Sequence, residues 1–186
     1  GGGRGGGASG NQELTTGVRQ SSTPHFGDIM AAAQTGMELP MDGFSPRQRL
    51  LLTANGNVQR IVSAFYDAPV TVHLLLSQPS MLGGHERIVS MSVLGWQFMS
   101  ARSSVHLLTA EWASALASGV PLGSLFQHMG VLPTFALHSV GRTDAYFWRA
   151  YSLRCAGMAC EIHETFAENV FDLHSDTAAT PVQHFC

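Results

Sequence analysis

Residues 86–105 read ERIVSMSVLGWQFMSARSSV. Val89, Met91 and Val93 recur at every second position, the period that points side chains to one face of a strand. Gly95 then turns the chain into a second strand-like run, Trp96 to Leu107. Two period-2 segments meeting at a glycine predict a hairpin, and therefore an antiparallel sheet at the centre of the fold.

The flanks extend the same pattern. Upstream, Val70, Val72, Leu74 and Leu76 alternate with Thr71, His73 and Leu75, predicting a half-buried strand that stops at Pro79 and Gly83-Gly84. Downstream, Thr134 to Gly141, Ala145 to Cys155 and Met158 to Phe166 have strand character, the last two joined at Gly157. A helix is expected after Asn57 as cap, because Val58, Ile61, Val62 and Phe65 fall at i, i+3, i+4 and i+7; Pro69 would end it. Thr109 is a plausible cap for a second helix carrying Trp112, Ala115 and Leu116, with Gly119 as its stop. A third runs from Leu122 to Met129, with Pro121 before it and Gly130 after it. Order is expected from Phe44 onward. The fold class that follows is α+β: one domain over residues 44–172, an antiparallel sheet covered by helices on one face.

A length of 186 residues suits one domain with tails. Charged residues are 12% and hydrophobic residues 45%, with 8 Met, so apolar area is enclosed in a pocket or covered by partner chains. All ten basic residues are Arg, scattered along the chain, and the net charge is -3, which argues against nucleic acid as a partner. No apolar run reaches the length of a membrane span; a soluble or peripheral protein is expected. Three Cys make no disulfide framework and fit a reducing compartment, although a Cys155 to Cys160 cross-strand bridge is an alternative. Nine His show no metal-presetting spacing, so no metal is expected. GGGRGGGASG opens a stretch, residues 1–43, that reads as a flexible leader and arm able to dock on a partner, and residues 173–186 read as a tail. A start at Gly1 without Met suggests a processed or truncated product and an organelle as compartment.

From Phe44 to Phe171 the chain resembles the chorismate pyruvate-lyase family, in particular its cyanobacterial and plastid branch. RQRLLLTANGNVQRIVSAFYDAPVTV is similar to the family's opening segment and first helix. The stretch at 86–105 is similar to its central hairpin, GVPLGSLF to its P-L/I-G-x-L motif, and RAYSLRCAGMACEIHETF to its closing hairpin. The resemblance implies release of pyruvate from chorismate to give 4-hydroxybenzoate for quinone synthesis, without metal or redox cofactor. The family's two hallmark polar residues fall on Arg87 and Glu164. Leu122 falls on a pocket leucine, Val58 on an apolar ring contact, and Arg149 heads the R-x-Y-x-L motif. The pattern is broken at Ala101, where the family has Gly, at Gln59, where it often has Thr, and at HETFAE, where FP is usual.

In that role Arg87 would hold a carboxylate of a small aromatic ligand through two parallel N–H donors. Glu164 would accept the ring hydroxyl or assist proton movement. Each has a plainer reading: Arg87 as an exposed strand residue beside Glu86, Glu164 as a surface carboxylate beside Glu161 and Glu168. Arg149 and Arg154 are five residues apart, so one strand sends them to opposite faces; Arg149 is expected to face the pocket and Arg154 the solvent. Arg142 reads as a solvated hairpin-end residue, and the three Trp as core or interface. Two other functions fit the same residues. One is a ligand-binding domain without catalysis, since the fold also serves as a sensor module in bacterial regulators. The other is a catalytically silent subunit of a larger assembly, suggested by the low charge and the arm.

Overall fold

The computed structural model describes residues 39, 41–81, 84–107, 109–118 and 122–173. The leader, most of the arm and the tail beyond Leu173, together with Gly119 and Pro121, lie outside them. Two helices, α1 (Pro46–Thr53) and α2 (Val58–Tyr66), precede the strands β1 (Val70–Pro79), β2 (His85–Val93) and β3 (Trp96–Leu107). Helices α3 (Ala110–Ala117) and α4 (Leu122–His128) follow, and then β4 (Thr134–Arg142), β5 (Tyr146–Cys155) and β6 (Met158–Ala167). All six strands form one antiparallel sheet in the order β1-β2-β3-β6-β5-β4. Each half is a three-stranded meander, and the long-range pairing of β3 with β6 joins the halves.

Register explains the layering. Met99, Ala101, Ser103 and Val105 of β3 lie opposite Phe166, Glu164, Ile162 and Cys160 of β6, which lie opposite Phe147, Arg149, Tyr151 and Leu153 of β5. All twelve are buried. At one end of this face Leu51, Leu52, Val58 and Val62 of α1 and α2 join Met99, Phe147 and Phe166 in a core. At the other end Trp112, Leu116, Leu125 and Phe126 of α3 and α4 join Val105, Leu153 and Cys160. Of the alternate positions, Arg102, His106, Arg154, Glu161 and His163 are exposed. The helices therefore cover one face, as the α+β reading expects.

Three details depart from the sequence reading, and the two described cysteines follow its main expectation. Helix α1 was not foreseen: three consecutive leucines give it almost no amphipathic contrast. Its start is nevertheless written in the sequence, because Ser45 and Gln48 form a reciprocal capping box with Pro46 at the first turn. Asn57 and Thr109 occupy cap positions without making a side-chain cap bond, and α2 ends at Asp67 in the left-handed region, ahead of Pro69. Strand β1 is not half-buried: it is a sheet edge with Val72, Leu74 and Leu75 exposed, and a bulge between Leu74 and Leu76 reverses the alternation. Cys155 and Cys160 are both free, since Cys155 opposes Met158 and Cys160 opposes Leu153.

The β5–β6 turn fixes a test of the packing. Gly157 has φ +104, and a Cβ there would run into the indole of buried Trp112. Gly157→Ala is expected to cost about 2–4 kcal/mol, combining left-handed strain with displacement of a core ring. Gly95 has φ +83 with open space around it, so Gly95→Ala should cost about 1 kcal/mol by urea unfolding. Equal losses would refute the Trp112 contact.

Candidate functional site

Between the two helix pairs a polar band crosses the covered face. On one rung Arg87 lies opposite Ser103, then Ile162, then Tyr151; on the next, Val89 lies opposite Ala101, then Glu164, then Arg149. Arg87 and Glu164 are each 6% exposed and Arg149 is 0% exposed. Their exposed-surface readings are thereby overturned. Arg87 and Glu164 stand two strands and one rung apart, roughly 12 Å between Cα atoms at standard spacings. Between them lie the small side chains Ala101 and Ser103, a low floor flanked by a cation and a carboxylate.

Glu164 is held on both oxygens. Arg149 Nε donates to Oε2 at 2.7 Å and the Tyr151 hydroxyl donates to Oε1 at 2.9 Å. The Arg149 guanidinium also lies over the Tyr151 ring at 4.6 Å, and its Nη1 donates to the carbonyls of Leu52 and Ala54. Arg149 thus ties the sheet to the end of α1. Its Nη2 is buried without a hydrogen-bond partner, a position where an acceptor would be strongly favoured. Burial, followed by the neighbouring carboxylate, pushes the Tyr151 phenol well above its ordinary range, so it is a donor at neutral pH. Tyr151→Phe leaves one Glu164 oxygen without its donor and is expected to cost about 1–3 kcal/mol in a denaturant titration.

Arg87 is also buried. Burial lowers its pKa, with Cys160 as the opposing influence. Burial, then Glu161, pushes the Cys160 thiol up to about 12, so it stays protonated and acts as a small core residue. We expect iodoacetamide to leave Cys160 unlabelled until denaturant is added; labelling in the native protein would contradict its burial. The unfolded thiol ionises first, so this group's contribution to stability declines as pH rises from about 9 towards 12. His85, next on β2, hydrogen-bonds Ser77 Oγ at 2.7 Å, and burial followed by Arg87 lowers its pKa.

The other sequence-derived positions separate clearly. Val58 is buried at the start of α2 in the core that includes Ala101, and Leu122 opens α4 against the second core. The two residues flank the band from opposite helix pairs. Arg154 is solvent-exposed and paired with Glu161, as the strand parity predicts. Gln59 is exposed on α2. Arg142 is exposed, paired with Glu168 at 3.0 Å and donating to Gly43 O, so it fastens the segment before α1 to β4. Trp112 is in the core, whereas Trp148 lies on the open face, stacked on His163.

Sequence reasoning missed Tyr151 as a partner of Glu164, although its place two residues after Arg149 puts both on one face. It also missed the carbonyl anchor of Arg149, which no local pattern announces. Two surface concavities, of about 390 and 420 Å³, lie beside β4 and beside the end of α2; neither is lined by Arg87, Ala101, Arg149 or Glu164. Among the described residues no group of His, Cys, Asp and Glu is arranged to hold a metal ion, and no helix is long and apolar enough to cross a membrane. No protein-family model matches the chain, and no curated protein matches it.

Proposed function

We propose that this chain is a chorismate lyase-type protein whose polar band binds a small aromatic carboxylate and releases pyruvate from chorismate. The observation that carries the reading is the placement of Arg87 and Glu164 on the same covered face, separated by the small residues Ala101 and Ser103. A ring lying on that floor would meet a guanidinium on one side and a carboxylate on the other. Arg87 would hold the ring carboxylate through paired N–H donors, and Arg149 Nη2 offers a second buried donor. Glu164 would accept from the ring hydroxyl. The reaction breaks the enolpyruvyl ether and removes a ring proton as the ring aromatises; the enol takes up a proton to become pyruvate. Atoms balance without oxidant, reductant or water, so orientation and charge matching are what the protein must supply.

A second reading, a catalytically silent subunit, is favoured by the occupation of both Glu164 oxygens and by the structural anchoring of Arg149. One assay separates the two. Purified protein is expected to release pyruvate and 4-hydroxybenzoate from chorismate in equal amounts. Folded protein that binds 4-hydroxybenzoate without turnover would leave a binding domain, and neither binding nor turnover would support the silent subunit.

A further inference from the structure

We propose that β1 is a dimerisation edge, through which two copies of this chain pair antiparallel about a two-fold axis and extend one sheet across both molecules. The sheet has two edges, and they differ in kind. On β4 the exposed positions include His138 and Arg142, and the exposed side chains alternate with half-buried ones. Both edge strands carry a bulge, that of β1 between Leu74 and Leu76, but a charged edge such as β4 resists pairing. On β1, VTVHLLLSQP, ten residues carry no Asp, Glu, Lys or Arg, and eight of the ten are exposed. Val72 is 42%, Leu74 53% and Leu75 50% exposed. One side of this backbone is bonded to β2; the other presents a row of donors and acceptors beside apolar side chains.

The strand's own pattern selects a second copy as the occupant. Val72 and Leu74 share a face and flank His73. An antiparallel two-fold pairing centred on His73 sets Val72 opposite Leu74 of the second copy, and Leu74 opposite its Val72. Both exposed apolar residues on that face then meet apolar partners. With no fixed charge on the strand, self-pairing brings no like charges together, a condition that strands carrying Lys or Glu fail. The contact is isologous and closes at two copies, so it gives a dimer and no fibre.

The test is the solution mass of the full chain by light scattering after size exclusion. Wild type is expected at twice 19.9 kDa, and Val72→Lys with Leu74→Lys at 19.9 kDa with an unchanged circular dichroism spectrum. Leu132→Lys, at a leucine 84% exposed elsewhere, should leave the dimer intact. His73→Cys checks the register: mild oxidation should yield a 73–73 linked peptide by mass spectrometry. A wild-type monomer, as when the chain's own arm covers the edge, overturns the proposal. So does a dimer that survives the paired lysines or gives no 73–73 link.

Discussion

Replacing Arg149 with alanine will lower the free energy of unfolding by about 3–5 kcal/mol, the usual loss when one partner of a buried ion pair is removed. The reason lies in what is left behind. Glu164 keeps its Tyr151 donor but loses Arg149 Nε, and a carboxylate 6% exposed then has no compensating cation at contact distance. The carbonyls of Leu52 and Ala54 lose their shared donor at the same time. Arg149→Met, which keeps most of the stem's packing volume, should recover little, because the electrostatic loss is the same. Arg149→Met with Glu164→Met should be milder than the sum of the two singles, since each single strands the other's charge. With a domain's total stability about 5–15 kcal/mol, Arg149→Ala protein should be partly unfolded at moderate urea. Trp fluorescence during urea titration reads this directly. A cost below about 1 kcal/mol would mean that the pair is solvated like a surface bridge.

The depth at which Arg149 sits also explains what was legible in the sequence. Alternation located β1 and β2, the turn at Gly95 pointed to β3, and strand-like runs marked β4, β5 and β6. At β1 alternation located the strand but not its exposure, because a bulge between Leu74 and Leu76 resets the faces of this edge. Helix α1 was lost because Leu50, Leu51 and Leu52 are consecutive, and Ser45 with Gln48 was the only clear signal. Strand parity put Arg149 and Arg154 on opposite faces, and the resemblance of the R-x-Y-x-L motif chose Arg149 as the inward one. The nearness of Arg87 and Glu164 was beyond such reading, because it depends on the β3–β6 register, which no hairpin turn sets. Their choice rested on resemblance. Their burial on one face gives it a physical basis without fixing the chemistry.

Arg87→Ala should abolish pyruvate release, lowering kcat/KM by at least about 100-fold, as expected for removal of one of few charge-matching donors in a buried band. Arg87→Lys is the informative companion. It keeps the positive charge but loses the paired N–H geometry, so a bidentate role predicts a loss close to that of alanine, whereas a role as a point charge predicts substantial recovery. A merely structural Arg87 would make the alanine variant less stable, so activity is not the only readout needed. Saturating 4-hydroxybenzoate should raise the wild-type Tm, because a ligand that binds only the folded state stabilises by RT ln(1 + [L]/Kd). It should leave the Tm of folded Arg87→Ala unchanged. If the ligand raises both Tm values alike, the carboxylate is bound elsewhere and Arg87 belongs to the packing of the band. If wild type gains stability but turns over no chorismate, then Glu164, already occupied by Arg149 and Tyr151, is a fixed structural carboxylate and the band is a binding site.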